Sequence, residues 1–258
     1  MVAKIDRTGE RGINNFGSQM IIVEYRGCMD IDIYFPEYDW IFKNATYGNF
    51  KKGNIMCPYE RTVYEVGYLG EGKYKSRENG KKTRVYTAWN SMLQRCYDEK
   101  YHERRSTYQD CKVYEEFHNF QNFGEWDEEN FYTVEEQQMC LDKDILVKGN
   151  KIYSPETCIY VPKTINTLFV KCNKSRGNCL IGTCLLNSKY VAHCSLINPK
   201  TGKSKIKHLG YYTTQQEAFK VYKQFKERNI KEVADYYKQQ IPTKLYDALY
   251  NYEVEITD

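Results

Sequence analysis

The sequence predicts an α+β protein, and three patterns along the chain support that fold class. The runs 20–25 and 31–35 are apolar or alternating and are separated by Gly27, which is typical of the two strands of a hairpin. Between residues 86 and 97, large apolar side chains recur at helical spacing. From 180 to 228, three short β-type runs precede a helical stretch. Short strands therefore alternate with short helices.

The first predicted module, residues 1–75, is a small β-rich accessory unit. We predict a basic turn at 47–53 and an irregular, glycine-broken segment at 66–74. The polar stretch 75–82 contains an Asn-Gly pair and predicts a linker or an exposed hairpin.

The second predicted module, residues 76–170, begins with amphipathic helices at 87–97 and 113–126. The aromatic residues of the second helix recur on one stripe, which predicts a buried core face. A strand, a glycine turn and a short helix that starts at Ser154-Pro-Glu follow. Asp142 and Asp144 lie just before the glycine turn.

The third predicted module, residues 171–258, contains three strands, a helix and two shorter terminal helices. Thr213 or Thr214 is the predicted N-cap of the first helix, with Glu217 in its first turn. The predicted strands are 180–184, 190–196 and 206–212, with a turn at 198–202. The predicted terminal helices are 230–239 and 243–250, with Pro242 between them.

Charge is distributed unevenly along the 258 residues, although the net charge is only +4. Residues 171–231 contain 13 Lys and Arg against 2 Glu, a local charge of +11. Residues 110–144 contain 2 Lys against 11 Asp and Glu, a local charge of −9. A basic segment beside an acidic one predicts a polyanion-binding module joined to a part with another task.

No apolar run approaches the ~20 residues that a membrane-spanning helix needs, and the N-terminal residues contain no hydrophobic signal core. We therefore expect a soluble, intracellular protein without a membrane partner. In such a compartment the ten Cys are expected to be reduced thiols.

Two parts of the chain resemble known families. Residues 86–166 resemble phage-borne HNH-type endonucleases, whose ββα finger holds one divalent cation. The elements that carry the resemblance are Trp89-Asn-Ser-Met-Leu-Gln-Arg-Cys96, Tyr108-Gln-Asp-Cys-Lys-Val113, Asn119-Phe-Gln-Asn-Phe123, Leu141-Asp-Lys-Asp144 and Tyr153-Ser-Pro-Glu-Thr-Cys158.

Residues 180–228 resemble the AP2 DNA-binding domain, on the three strands, the helix and the junction His208-Leu-Gly-Tyr-Tyr-Thr-Thr with Glu217-Ala218. The resemblance implies a sheet that binds double-stranded DNA in the major groove. The candidate DNA-binding residues are Lys189, Lys203, Lys205, Lys207 and His208. A half-buried strand position is the alternative explanation for His193 and His208.

The HNH resemblance also implies a site in which Asp142, Asp144 and Asn166 hold Mg²⁺ or Mn²⁺, since oxygen ligands suit hard cations. Lys143 stands where the family has its base histidine, and Thr157 where it has an asparagine. The base would then be His118, His102 or metal-bound water. Zinc is not expected, because Cys96, Cys111, Cys140 and Cys158 lack paired Cys-x-x-Cys spacing.

Two interpretations of the finger stay open. It is either a modified nuclease with Asp142, Lys143, Asp144 and His118 at its site, or a structural element in which Lys143 takes the place of the cation. The leading predicted function is a phage-type, metal-dependent DNA endonuclease or nickase, and the alternative is a non-catalytic regulator or inhibitor that binds DNA or a host defence protein. A purely structural assembly role is a third. The expected location is the cytoplasm of a phage-infected or lysogenic bacterial cell.

Overall fold

The computed structural model describes residues 5–170, 179–256 and 258. The chain divides into two units, Met1–Glu129 and Asn130–Asp258. Both contain helices and small antiparallel sheets, so the predicted α+β class is confirmed. The division into modules 1–75, 76–170 and 171–258 has other boundaries than this two-unit division and stays a prediction.

The first unit begins with a four-stranded antiparallel sheet in which neighbours in sequence are neighbours in space. Ile31, Ile33 and Phe35 alternate along one strand and are fully buried, as are Met20 and Ile22 on the strand beside it. This period of two buries one face of the sheet, and the predicted hairpin is confirmed. The strands are β1 (Arg11–Ile13), β2 (Gln19–Gly27), β3 (Asp30–Phe35) and β4 (Trp40–Ala45).

The segment predicted as a basic turn at 47–53 is helical instead, so that prediction was wrong. Helix α1 (Tyr47–Lys51) is capped by Thr46, whose hydroxyl accepts the Asn49 N–H at 3.2 Å. Phe50 is buried against the sheet. A cap and one buried anchor are enough to fold this turn.

The polar stretch 75–82 forms an exposed hairpin, one of the two predicted alternatives. Strands β5 (Arg77–Glu78) and β6 (Lys81–Lys82) are joined by Asn79 and Gly80, whose φ angles are 49° and 76°. Two positive φ angles in a two-residue loop match the right-handed twist of the strands. Helix α2 (Arg84–Tyr97) follows and starts three residues earlier than predicted, because the Thr83 hydroxyl caps it.

The predicted helix 113–126 is divided in the structure, so its continuity was wrong. Asn119 has extended backbone angles, and its side-chain oxygen accepts the Gln121 N–H at 3.0 Å, which begins a new helix. The predicted aromatic stripe is nevertheless buried. The elements here are α3 (Glu99–Arg104), β7 (Lys112–Val113), 3-10 turns at Ser106–Tyr108 and Glu115–His118, and α4 (Phe120–Asn130).

The second unit begins with a hairpin that has a long connection. Strand β8 (Met139–Asp142) pairs with β10 (Ile159–Pro162), and the short strand β9 (Ile152–Tyr153) lies in the connection. The predicted helix at Ser154-Pro-Glu was wrong, because a single turn there ends where the apolar residues of β10 pair with β8. The helix of this region is α5 (Lys163–Leu168), which follows β10.

The C-terminal half of this unit is a three-stranded antiparallel sheet with a long helix, as predicted. Strands β11 (Thr183–Leu186), β12 (Lys189–Ile197) and β13 (Ser204–Tyr212) follow in order, and Thr214 and Glu217 form a capping box for the helix. Helix α6 (Gln215–Tyr237) continues through 230, so the separate helix predicted at 230–239 was wrong. No Gly or Pro interrupts residues 215–237. Helix α7 (Thr243–Tyr250) begins after Pro242.

The core of the second unit joins its two halves. Val161 and Ile165 of the hairpin region pack in one cluster with Ile230 and Val233 of α6 and Leu245 of α7. Among the helices of residues 5–170 and 179–256, none has both the length and the apolar composition to cross a membrane.

Candidate functional site

The predicted finger residues lie on the turn that follows β8. The Asp142 carboxylate ends the strand, and its Oδ1 accepts the backbone N–H groups of Asp144 and Ile145, both at 2.9 Å. Burial raises the pKa of Asp142, and the nearby Asp144 charge raises it further, against the opposing effect of the two N–H donors. Asp142 therefore holds its own turn together.

Lys143 is buried between acidic and aromatic neighbours. Its side chain is only 8% exposed, its Nζ lies 3.3 Å from Asp144 Oδ1, and it lies 5.8 Å from the centre of the Tyr153 ring. A buried ammonium costs desolvation energy and needs partners of this kind. Lys143 therefore balances the charge of the two aspartates from inside the turn.

The rest of the connection is closed by side-chain amides and hydroxyls. Asn150 Nδ2 donates to the carbonyls of Lys143 and Ile152, at 2.7 and 2.6 Å. Thr157 stands where the HNH resemblance places an asparagine, and its hydroxyl donates to the Ile152 carbonyl at 2.9 Å. Both side chains are used to fold the loop.

Asn166, the third predicted metal ligand, lies half-buried on α5. Within the described part of the chain, no hydrogen bond joins its side chain to Asp142 or Asp144. The same residues contain no group of three His, Cys, Asp or Glu that could hold a metal ion.

The chemistry of the three predicted ligands suits Mg²⁺ or Mn²⁺, but their arrangement fits a cation poorly. One Asp142 oxygen already accepts two backbone N–H groups, and the Asp144 carboxylate already contacts the Lys143 ammonium. A cation would have to compete with both. The geometry favours a structural turn over a metal centre.

The two predicted histidine bases belong to the first unit, whereas Asp142 belongs to the second. His118 Nε2 lies 3.3 Å from the Tyr97 hydroxyl, and burial, followed by the positive charge of Arg61, lowers its pKa. His102 Nε2 lies 2.9 Å from the Arg95 carbonyl oxygen. Each histidine thus has a local partner in its own unit.

The four cysteines considered for zinc are mostly buried. Cys96, Cys111 and Cys158 are at most 4% exposed, and Cys140 is half-buried. Burial of three of them agrees with the prediction of small thiols in the core.

The predicted DNA-binding residues of the second unit are all exposed, and most lie on or beside β13. Lys203 precedes that strand, Lys205, Lys207 and His208 are on it, and Lys189 begins β12. Strand β13 is at the edge of its sheet, so one side of its backbone is unpaired within the sheet.

Alternation along β13 separates these side chains into two rows. Lys207 pairs across the sheet with the buried Cys194 and lies 4.8 Å from the centre of the Phe225 ring of α6, so its row faces the helix. Ile206 and His208 face the opposite side. The predicted basic residues therefore do not all share one face.

The opposite face carries a partly aromatic row. Ile206 is 70% exposed and Tyr211 is 57% exposed. The His208 and Tyr211 rings lie 4.8 Å apart between centres. This row has the apolar and aromatic character of side chains that contact bases, next to lysines that can contact phosphates.

Two functional candidates were missed in the sequence. Lys226 of α6 is half-buried, and the partial loss of hydration lowers its pKa; its Nζ donates to the Leu168 carbonyl at 2.7 Å. The sequence signal for its partial burial is Tyr222, which lies four residues earlier and so on the same face of the helix. The other is the cationic hairpin 75–82, which was predicted as a connection and given no role.

Comparison of this chain with family models, with curated proteins and with solved structures finds no match. The HNH and AP2 resemblances therefore stay expectations.

Proposed function

We propose that this chain is a nucleic-acid-binding protein that binds double-stranded DNA through the sheet and helix of its second unit, and that the Asp142–Asp144 turn is a structural element. The proposal keeps the predicted DNA-binding function and the non-catalytic interpretation of the finger. A phage protein that occupies DNA or regulates a host process would fit this description.

The main support for this proposal is the set of exposed cations around the edge strand β13. Lys203, Lys205 and Lys207 are exposed, and within residues 179–256 none of them forms an ion pair with a carboxylate. Exposed cations that no carboxylate of residues 179–256 neutralises are available to phosphate oxygens, although Lys207 also lies against the Phe225 ring. His208 and Tyr211 lie on the other face, where they can reach base edges.

Replacing Lys203, Lys205 and Lys207 together by Gln tests this proposal. Because each lost phosphate contact lowers the salt dependence by about 0.9 in log–log slope, the slope should fall by about 2 to 3 and affinity by at least tenfold. Fluorescence anisotropy with a short labelled duplex across a salt series measures both quantities.

The matched control removes three exposed lysines of the second unit that lie outside the sheet and α6, Lys163→Gln, Lys238→Gln and Lys244→Gln. This variant has the same net charge as the first. Equal loss of affinity in both variants would refute a site at β13. A wild-type protein that binds no duplex but forms a stoichiometric complex with a host protein would favour the inhibitor alternative.

A metal-dependent DNA endonuclease or nickase is the second candidate. The observation that favours it is the placement of Asp142 and Asp144 on one turn, where burial and then the Asp144 charge raise the pKa of Asp142; a divalent cation there would offset the repulsion between the two carboxylates. Supercoiled plasmid with Mg²⁺ or Mn²⁺ is the test. Nicking that disappears in Asp142→Ala and Asp144→Ala, and in Asn166→Ala, would establish this candidate over the structural turn.

A further inference from the structure

A second cationic surface lies in the first unit, on the segment 75–82, which we call the basic hairpin. It contains Lys75, Arg77, Lys81 and Lys82 and only one acid, Glu78, a net charge of +3 in eight residues. All four cationic residues are exposed. Among residues 5–129, none of the four forms an ion pair with a carboxylate.

Nearby cations on either side of the hairpin are neutralised. The Lys73 ammonium lies 2.6 Å from Glu128 Oε2, and Arg84 forms a two-point ion pair with Asp127. Two acids of α4, Asp127 and Glu128, are therefore already occupied by their own partners. They do not offset the charge of the hairpin itself.

The base of the hairpin is held by buried and half-buried polar contacts. Gln121 accepts the Tyr74 N–H at 3.0 Å and donates to the carbonyls of Leu69 and Tyr74. The Thr83 hydroxyl donates to the Lys75 carbonyl at 2.8 Å, and the Thr83 N–H donates to the Ser76 carbonyl. The cations are therefore presented from a fixed base, which reduces the ordering cost of binding.

An open cleft of about 350 Å³ lies at this base. Lys75, Ser76 and Arg77 line it together with Gly70, Gly72 and Phe120, among others. Two cationic residues and a hydroxyl at an open cleft suit a phosphate group, because each of them can donate a hydrogen bond to its oxygens.

We propose that the basic hairpin and its cleft form a second nucleic-acid contact, which binds the phosphodiester backbone without reading sequence. This inference rests on the proposed function in taking DNA as the ligand. It assigns a separate surface on the first unit, which none of the predicted DNA-binding residues includes. Lys81 and Lys82 contact phosphates along the strand, and Lys75 and Arg77 hold one phosphate at the cleft.

The test compares two full-length variants with equal charge. One replaces the four hairpin cations by Gln, and the other makes the same change at exposed lysines elsewhere in the first unit, Lys43, Lys52, Lys100 and Lys112. Since each phosphate contact contributes about 0.9, the hairpin variant should lower the salt slope by about 2 to 4 and weaken duplex binding at least tenfold. The control variant should bind within about twofold of wild type.

Acetylation of individual lysines in the wild-type protein is a second test. A bound duplex should protect Lys75, Lys81 and Lys82 from acetylation but leave Lys43 and Lys52 reactive. Unprotected hairpin lysines, or equal losses of affinity in the two variants, overturn the inference. Poly-glutamate that displaces the duplex as effectively as unlabelled DNA does would also overturn the inference, because an acidic protein would then be the better ligand.

The β13 variant separates this inference from the proposed function. One outcome is that the duplex protects the hairpin lysines from acetylation and the hairpin variant loses affinity, while the Lys203, Lys205 and Lys207 variant does not. This outcome would support the hairpin and refute the site at β13. The reverse result would refute the hairpin alone. No duplex binding by wild type overturns both.

Discussion

Two turns with cationic residues, one in each unit, use the same side chain in opposite ways. Lys143 lies on the turn after β8, buried and in contact with Asp144 and Tyr153. Lys81 and Lys82 lie on the basic hairpin, exposed and without carboxylate partners among residues 5–129. The first lysine stabilises its own turn, whereas the other two are free to bind something else.

The difference shows why a local charge count is a weak guide to function. The acidic segment 110–144 has a net charge of −9, yet two of its acids, Asp142 and Asp144, are engaged with backbone N–H groups and with the Lys143 ammonium. The basic hairpin has a net charge of only +3, but no carboxylate among residues 5–129 forms an ion pair with its cations. Partners within the fold, more than the number of charges, decide whether a turn is structural or binds a ligand.

Replacing Lys143 by Met should have the largest effect and would sharpen the contrast. Met keeps the packing of the lysine methylene chain, but the two neighbouring carboxylates lose their cation. The free energy of unfolding should therefore fall by about 2 kcal/mol, which is less than for a fully buried pair because Asp144 is partly exposed. Urea unfolding measures it. Lys163→Met, at an exposed position, is the control. Unchanged stability in Lys143→Met would mean that charge does not hold the turn.

Asp142 should come next, because its carboxylate caps two backbone N–H groups. Asp142→Ala should lower the free energy of unfolding by about 1 to 2 kcal/mol, and Asp142→Asn, which keeps an acceptor oxygen, by less. Amide hydrogen exchange at Asp144 and Ile145 should accelerate in the Ala variant. Exchange that stays slow would show that these N–H groups depend on another acceptor.

Gly80 tests whether the shape of the basic hairpin matters apart from its charge. Its φ of 76° is costly for a residue with a Cβ, so Gly80→Ala should lower stability by at most about 1 kcal/mol. Duplex affinity should fall measurably although no charge is removed. Gly48→Ala, within α1 and with nothing near the added Cβ, should raise stability slightly, since Ala favours a helix over Gly, and should leave duplex affinity unchanged. Unaltered affinity in Gly80→Ala would mean that the charges act without a fixed geometry.

His118 should give the smallest effect, a pH dependence confined to the first unit. Its pKa is lowered in the folded protein, chiefly by burial, so the unfolded chain binds the proton first as pH falls below about 6.5. Stability should therefore be fully present above that pH and decrease below it. His118→Gln should flatten this part of a urea-midpoint profile, and an identical slope in the variant would exclude His118 as its source.

Local patterns predicted several elements well. Alternation at 31–35 places Ile31, Ile33 and Phe35 in the core, and Thr214 with Glu217 forms the predicted capping box. The Asn-Gly pair marks the turn of the basic hairpin. These features depend on side chains a few residues apart, which is why the sequence contains enough information to predict them.

Errors arose where distant contacts decide local structure. Asn119 ends one helical turn and starts another because the strand-like Tyr68 pairs beside it, and the N–H of Tyr68 donates to the His118 carbonyl. The Ser154 turn gives way to a strand because β8 is available as a partner for β10. Neither partner can be read from the segment itself.

The sequence by itself determined the α+β class, the order of most strands and helices, and the uneven charge that points to a polyanion. Only the tertiary structure decided which charges are available, because burial and pairing depend on residues that are distant in the chain. It buried Lys143 against Asp144, turned Lys207 toward Phe225, and left the basic hairpin exposed. A charged group that is buried needs a partner within the fold, whereas an exposed charged group stays hydrated and is accessible to a ligand.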